Sequence, residues 1–197
     1  MASKPLLVVF AGPNGSGKST LAEELRAGDP GFPSLYINAD GIAKRKKIGA
    51  IEAAVEAARL RAEAIARRRS FATETVLSTR EKIDLLRDAK TAGYEIVLLY
   101  ITTQSRKINA KRIETRVAMG GHDVPPEKVS GRYDRSMTLL AEALKLADVA
   151  SVFNNSFEQP LLIAEKTREG QIVIYPQEAP SIWTAERIRK LVGVSGE

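Results

Sequence analysis

The sequence of 197 residues contains no cysteine and a single histidine, His122. The lack of cysteine excludes disulfides, thiolate zinc sites and thiol nucleophiles, and it fits a reducing compartment. One histidine with no second ligand beside it does not make a zinc site. Long apolar runs are also missing. The first run, Leu6 to Phe10, is too short for a signal or membrane segment. We therefore expect a cytoplasmic protein that does not contact membranes.

Acidic residues are scarce in one segment of the chain only. The formal net charge is +6, and residues 41–70 hold nine Lys or Arg against three Glu, an excess equal to that of the whole chain. Such a segment is typical of nucleic-acid binding, or of a solvated helix face and arginines near a phosphorylated ligand. No aromatic side chains for stacking on bases lie among these basic residues. We therefore favour the second interpretation and do not expect a nucleic-acid partner.

A phosphate-binding loop is the most specific pattern that the sequence does contain. The first apolar run leads into Gly12-x-x-x-x-Gly17-Lys18-Ser19, and residues 21–26 are typical of a helix. A glycine-rich loop in this context binds phosphate through backbone N–H groups and the helix dipole. Lys18 is expected to contact the β- and γ-phosphates of ATP, and the Ser19 hydroxyl to bind Mg²⁺. The residues predicted to bind the nucleotide are Gly12, Pro13, Asn14, Gly15, Ser16, Gly17, Lys18, Ser19 and Thr20.

Strand and helix patterns alternate along the rest of the chain. This alternation predicts one α/β domain over residues 1–197, with a parallel sheet of the P-loop nucleoside triphosphate hydrolase/kinase fold and helices on both faces. The helix predicted at 50–69 is expected to face the core with one apolar stripe, formed by Ile51, Val55, Ala58, Ala62 and Ile65. Further strands are predicted at 35–40, 71–76, 95–101 and 149–153, a hairpin at 161–175, and further helices at 80–92, 104–119, 126–146 and 185–192.

The loop alone does not separate an ATPase from a kinase. Transporter and motor ATPases need an acid after an apolar strand, whereas the strands at 95–101 and 149–153 end in Thr and Asn. The signature of transporter ATPases and the guanine-reading Asn-Lys-x-Asp of GTPases are also missing. These absences favour a kinase that acts on a small molecule.

A kinase needs a carboxylate beside the acceptor hydroxyl. Asp40, expected at the end of the second strand, is the candidate base, and a helix N-cap is its alternative role. Glu74, near the end of the third strand, is expected to bind acceptor hydroxyls or to help hold Mg²⁺. The adjacent Thr75 is a second candidate for acceptor binding. All of these residues are expected at the edge of the sheet where ligands of such folds bind.

Positive charge for the transferring phosphoryl group is available in the segment at about 104–146. This segment is expected to form an arginine-rich helical lid with a hinge and tip at 120–125. Arg116 and Arg132 are the candidates for contact with the γ-phosphate, and Arg135 is a candidate for acceptor binding. A surface ion pair is the alternative for each of these arginines.

Five short motifs follow one another within residues 5–156. They are Ala11-Gly-Pro-Asn-Gly-Ser-Gly-Lys-Ser-Thr20, Ile37-Asn-Ala-Asp-Gly-Ile-Ala43, Phe71-Ala-Thr-Glu-Thr75, Arg116-Val-x-x-Gly-Gly-His-Asp-Val-Pro125 and Asn154-Asn-Ser156. The phosphate loop alone is unspecific, but the ordered set is much more specific. It resembles the zeta toxin family, and in particular its short branch of P-loop kinases.

The resemblance implies an activity and a partner. Members of the family use ATP to phosphorylate the sugar of UDP-N-acetylglucosamine or related nucleotide sugars, which blocks peptidoglycan synthesis, and many are held inactive by a small antitoxin protein. The family's base aspartate matches Asp40, its loop lysine matches Lys18, and an acid of its substrate site matches Glu74. Its lid arginines match Arg116 and Arg132. The resemblance thus implies a kinase that uses ATP and Mg²⁺ on a UDP-sugar.

Two other functions fit parts of the sequence. The basic segment at 41–70 is compatible with a polynucleotide or nucleoside kinase. An ATP-binding switch module without phosphotransfer would also need the loop. The presence of Asp40, Glu74 and several arginines argues against such a module, because a protein that only binds ATP requires none of them.

Overall fold

The computed structural model of the protein describes residues 4–119, 126–178 and 181–194. Within these residues the chain forms seven strands and seven helices. The strands are β1 (Leu6–Ala11), β2 (Leu35–Ile37), β3 (Phe71–Thr75), β4 (Glu95–Thr102), β5 (Val149–Asn154), β6 (Leu161–Lys166) and β7 (Ile172–Ile174). The helices are α1 (Lys18–Gly28), α2 (Ala39–Lys46), α3 (Ala50–Ala66), α4 (Arg80–Thr91), α5 (Arg106–Ala118), α6 (Pro126–Leu146) and α7 (Ala185–Val192).

The strands form one sheet in the order β2-β3-β1-β4-β5-β6-β7. The first five strands of this order pair in parallel, while β5, β6 and β7 pair antiparallel. The α/β fold class and the predicted hairpin are therefore confirmed, and the complete sheet is mixed. Because helices connect the parallel strands, their carboxyl ends meet at one edge of the sheet. The loop after β1 and the residues after β2 and β3 lie at that edge.

Helices cover both faces of the sheet, as the alternation of elements predicts. On one face, a large core joins the sheet to α3, α4, α6 and α7. On the other face, α1 packs through Ala22 against Val8, Phe10 and Ile101 of the central strands. None of the helices in the described part of the chain combines the length and the apolar character that crossing a membrane requires.

The face that α3 presents to the core differs from the prediction. Ile51 is 85% exposed and Val55 is 66% exposed, so the first half of the expected apolar stripe does not face the core, whereas Ile65 at its end packs against it. The buried positions of this helix are Ala53, Ala57, Arg61 and Ala64. Alanine lets a helix backbone lie close to its neighbours, and close packing of α3 selects the small side chains rather than the most hydrophobic ones.

The position of Asp40 also differs from the prediction. The second strand ends at Ile37, and α2 begins at once, with Asp40 in its first turn. The N-cap of α2 is Asn38, whose side-chain oxygen accepts hydrogen bonds from the N–H groups of Asp40 and Gly41. Asp40 is therefore neither the last residue of a strand nor the cap of the helix, because the asparagine two residues earlier turns the chain into a helix.

The predicted lid segment contains the two expected helices, α5 and α6. They contact each other, and Ile113 of α5 packs against Val129 of α6. The predicted hinge and tip at 120–125 lie outside the described residues. Lid closure therefore stays a prediction.

Candidate nucleotide-binding and phosphotransfer site

The loop between β1 and α1 is packed tightly against neighbouring residues. Gly12 has a φ of +136° and Gly17 has a φ of +98°, in the region that side chains rarely adopt. A Cβ atom at Gly12 would lie 2.0 Å from the carbonyl oxygen of Ile101, and one at Gly17 would lie 2.2 Å from Nδ2 of Asn155. Gly12 is therefore required by backbone geometry and by space, whereas a side chain at Gly17 is disfavoured by its φ and would displace the Asn155 amide.

Two asparagines brace the loop from other parts of the chain. Nδ2 of Asn109 in α5 donates to the carbonyl oxygen of Asn14 at 2.7 Å, and Nδ2 of Asn155 donates to that of Ser16 at 2.7 Å. Asn109 is fully buried, and the sequence holds no signal that separates it from the polar residues around it. These bonds hold the loop in one shape before a nucleotide arrives, which lowers the entropic cost of binding.

Lys18, the first residue of α1, is the point on which the charges of the site act. Its Nζ donates to the carbonyl oxygen of Pro13 at 2.9 Å. Burial lowers the pKa of Lys18 to about 8, the charges of Glu74 and Asp40 oppose this shift, and the charge of Arg116 adds to it. The structure therefore brings together four of the predicted site residues, which come from α1, α2, β3 and α5.

The lowered pKa of Lys18 predicts that nucleotide affinity depends on pH. Bound phosphate favours the protonated amine, whereas the free protein releases this proton as the pH rises through about 8. We expect the Kd for ATP to rise about tenfold between pH 7 and pH 9, as measured by calorimetry. Lys18→Arg is the matched control, because guanidinium stays charged over this range. If the Kd of Lys18→Arg rose as much between pH 7 and pH 9 as that of the unmodified protein, the pH dependence would not come from Lys18.

Glu74 lies beside the loop because β3 is the direct neighbour of β1, where Phe10 pairs with Glu74. Its Oε2 accepts a hydrogen bond from the Ser19 hydroxyl at 2.8 Å. Its Oε1 accepts from Nδ2 of Asn38 at 2.5 Å and from the Tyr36 hydroxyl. The pairing of β3 with β1 therefore places the predicted acid Glu74 next to the loop, whereas β4 and β5 end without an acid.

Tyr36 and Asn38 are site residues that sequence reasoning missed. Burial, together with the hydrogen bond to Glu74, raises the pKa of Tyr36, so its hydroxyl stays neutral and serves as a donor. The guanidinium of Arg26 lies 4.6 Å from the centre of the Tyr36 ring, over its face. The only signal in the sequence was the motif at 37–43, which Tyr36 directly precedes and which contains Asn38.

The carboxylate of Asp40 is exposed and lies close enough to Lys18 to act on its pKa. Thr75 is placed differently, because it is buried. Its Oγ1 accepts from the N–H of Leu77 at 3.1 Å, and its carbonyl oxygen accepts from the N–H of Gly12 at 3.2 Å. Asp40 is thus open to an acceptor molecule, whereas the contacts of Thr75 join the end of β3 to the loop.

The predicted arginines occupy different parts of the site. Arg116 of α5 is exposed and acts on Lys18. Arg135 of α6 donates from Nε to the carbonyl oxygen of Ser78 at 3.1 Å, at the start of α4. Arg132 lies one turn before Arg135 and is not among the charges that shift the pKa of Lys18. The charge of Arg116 therefore reaches Lys18, and Arg135 lies at the loop after β3. Contact of Arg116 or Arg132 with a γ-phosphate stays a prediction.

A cleft of about 330 Å³ adjoins the start of α1. Its wall combines the flat side chains of Phe157 and Pro160 with the guanidinium-bearing Arg112 and polar groups of Thr20 and Asn155. Such a mixture of apolar surface and a few polar groups is typical of sites for small ligands. The cleft adjoins the phosphate loop at Gly17.

Comparison with known sequences identifies relatives of this chain. A family model described as zeta toxin matches residues 1–179. An uncharacterised protein of Haemophilus influenzae is 33% identical over 131 residues, which are 64% of this chain and 91% of that protein.

Comparison with solved structures shows where the fold recurs. The AvrRxo1-ORF1:-ORF2 complex contains a chain with a TM-score of 0.68 and 17% identity, over 96% of this chain. The match covers 64% of that chain, so the present chain spans less than two thirds of its length. A structure of the same complex with ATP gives a TM-score of 0.65 at 18% identity, over 100% of this chain and 67% of that one.

A second structural relative comes from the PezAT chromosomal toxin–antitoxin system of Streptococcus pneumoniae. It has a TM-score of 0.56 and 15% identity, over 100% of this chain and 81% of that chain. At these identities, the likeness shows a shared fold.

Proposed function

Because the chain belongs to the zeta toxin family, we propose that it is an ATP-dependent kinase that phosphorylates a hydroxyl of a small molecule. Membership of this family supports a kinase or phosphotransferase. The acceptor that we propose first is a UDP-activated sugar such as UDP-N-acetylglucosamine, because the motifs of this chain resemble those of family members that use it.

One observation carries the kinase proposal: two carboxylates and an arginine act on the ammonium group of Lys18. Lys18 and Arg116 supply positive charge for the phosphates. Glu74 is occupied by three hydrogen bonds, whereas Asp40 is exposed. A solvent-open carboxylate close to the phosphate-loop lysine suits an acceptor hydroxyl that enters from outside.

The reaction that follows from this arrangement is a direct phosphoryl transfer. The acceptor oxygen attacks the γ-phosphorus of ATP, the bond from this phosphorus to the bridging oxygen breaks, and ADP leaves. Asp40 orients the hydroxyl and takes its proton. Lys18 and Arg116 neutralise the charge on the transferring group, and their positive charge has to be in place before the acceptor reacts.

Mg²⁺ fits the site as a group held by Ser19 and Glu74. The Ser19 hydroxyl and Glu74 Oε2 lie 2.8 Å apart, and both are oxygen donors of the kind that Mg²⁺ prefers. Mg²⁺ in phosphoryl-transfer sites is commonly held by one or two protein oxygens together with phosphate and water. When bound, Mg²⁺ supplies positive charge to the phosphates. This contact favours the metal-holding role of the two roles predicted for Glu74.

We also propose that the nucleotide is ATP and that a protein antitoxin regulates the enzyme. The cleft at Gly17, Arg112 and Phe157 is contiguous with the phosphate loop and can take a base and ribose. A structural relative is known in complex with ATP, and another belongs to a toxin–antitoxin system. Both properties belong to those proteins and support the proposal for this one.

The test is a transfer assay with γ-labelled ATP and Mg²⁺ on a panel of acceptors. We expect label in UDP-N-acetylglucosamine or another UDP-sugar, and no label in an oligonucleotide with a free 5′ hydroxyl. Label in the oligonucleotide or in a nucleoside would instead support the function that the basic segment at 41–70 suggests. Nucleotide binding without transfer to any acceptor would overturn the kinase proposal and support an ATP-binding switch.

A further inference from the structure

We propose that Asn38 is a positioning residue that couples the two carboxylates of the site, Glu74 on the metal side and Asp40 on the acceptor side. This inference rests on the proposed function, because it concerns how the same site is held in its working geometry. Asn38 is expected to contact neither ATP nor the acceptor. It acts through the two acids.

The carboxamide of Asn38 divides its hydrogen bonds between the two acids. Nδ2 donates to Oε1 of Glu74 at 2.5 Å. Oδ1 accepts from the N–H of Asp40 at 2.8 Å and from the N–H of Gly41 at 3.4 Å. Only this orientation works, because the flipped amide would set its NH₂ against two N–H groups and its oxygen against a carboxylate.

The anchor of Asn38 is rigid. The residue before it, Ile37, is 1% exposed and pairs with Thr73 of β3. The Thr73 hydroxyl donates to the carbonyl oxygen of Ile37 at 2.8 Å. Asn38 directly follows β2 and Glu74 follows Thr73 in β3, so the pairing of the two strands brings the carboxamide to the carboxylate.

On the metal side, Asn38 determines how Glu74 presents its second oxygen. Oε1 is held by Asn38 and Tyr36, which leaves Oε2 directed at the Ser19 hydroxyl. Groups that orient a metal-holding carboxylate affect metal affinity although they do not touch the metal. Loss of the Nδ2 donor should therefore weaken Mg²⁺-dependent nucleotide binding.

On the acceptor side, Asn38 determines where Asp40 lies. Asp40 is in the first turn of α2, and the side chain of Asn38 caps two N–H groups of that turn. An uncapped first turn frays, and a frayed turn would move the carboxylate away from Lys18. One side chain therefore fixes the positions of the two carboxylates relative to each other.

Two substitutions separate the two halves of this role. Asn38→Ser keeps an N-cap oxygen, which is as effective as asparagine, but it is too short to donate to Glu74. Asn38→Ala removes both interactions. Thr184→Ala is the matched control, because Thr184 caps α7 through the N–H of Arg187, outside the site.

The first measurement is the Kd of a non-hydrolysable ATP analogue in EDTA divided by its Kd in Mg²⁺. This ratio should fall about tenfold in Asn38→Ser and in Asn38→Ala. It should stay unchanged in Thr184→Ala, while Tm falls by about 3 °C. An unchanged ratio in Asn38→Ser, or no effect of Mg²⁺ in the unmodified protein, would overturn the metal-side role.

The second measurement is amide hydrogen exchange at residues 40–42, which does not depend on nucleotide. Exchange should be faster in Asn38→Ala, unchanged in Asn38→Ser, and faster only in α7 for Thr184→Ala. Slow exchange at residues 40–42 in Asn38→Ala would overturn the acceptor-side role. Neither measurement uses an acceptor, so a failure to find phosphoryl transfer would overturn the proposed function and leave these results standing.

Discussion

Replacement of Asp40 by asparagine should lower the rate of phosphoryl transfer by about 10²–10⁴-fold. Asparagine has the same shape as aspartate but cannot take the proton of the acceptor hydroxyl. Asp40 is exposed and its backbone, not its side chain, receives the cap of α2, so the fold should be unaffected. The transfer rate is measured with γ-labelled ATP and the acceptor identified in the panel, at pH 7.

The affinity for a non-hydrolysable ATP analogue should change little in the same variant at pH 6. Loss of the Asp40 charge lowers the pKa of Lys18 below about 8, but the amine stays protonated at this pH. Glu186→Gln is the matched control, since Glu186 occupies the first turn of α7, as Asp40 occupies that of α2. Both changes remove an acid that interacts with a helix dipole, but only Asp40 lies close to Lys18. Transfer at the normal rate by Asp40→Asn would show that the base is another group.

Replacement of Gly12 by alanine should lower the free energy of unfolding by about 4 kcal/mol, combining backbone strain and steric overlap. The new Cβ would lie 2.0 Å from the carbonyl oxygen of Ile101, and the φ of +136° is unfavourable for alanine. Ile101 belongs to β4, a central strand that cannot move without disturbing its pairs with β1 and β5. The expected fall in Tm is about 12 °C.

Gly28→Ala is the control for this substitution. Gly28 is the last residue of α1, and a Cβ atom added there would meet nothing within 4 Å. Alanine at a compatible helical position stabilises a protein by up to about 1 kcal/mol, so this variant should be neutral or slightly more stable. Urea denaturation of both variants measures the difference. Equal stabilities would mean that the loop relaxes around the methyl group without cost.

The order of strands and helices could be predicted because local patterns specify it. The run at 95–101 is mostly apolar, as expected for a strand in the middle of a covered sheet, and it corresponds to β4. The helix predicted at 185–192 has the bounds of α7. The phosphate loop could be predicted for the same reason, since its glycines, Lys18 and Ser19 are contiguous.

Details that depend on neighbouring elements could not be predicted in this way. The prediction of which side of α3 faces the core was wrong at Ile51 and Val55, because these residues are more hydrophobic than the alanines that the structure buries. Asp40 was predicted at the end of a strand because the strand pattern of residues 35–37 was extended to residue 40. In the structure, Asn38 caps a helix that begins at Ala39. The roles of Asn109 and Tyr36 depend on partners far away in the chain.

The sequence by itself determined that this chain has a phosphate-binding loop between a strand and a helix, in an alternating α/β domain with the motifs of the zeta toxin family. The sequence also pointed to Asp40 and Glu74, but only the tertiary structure decided what each acid contacts. Glu74 is 55 residues from Ser19 in the chain, and the two meet because β3 pairs with β1. Strand order depends on how whole elements pack, and such packing leaves no local pattern in the residues that it brings together.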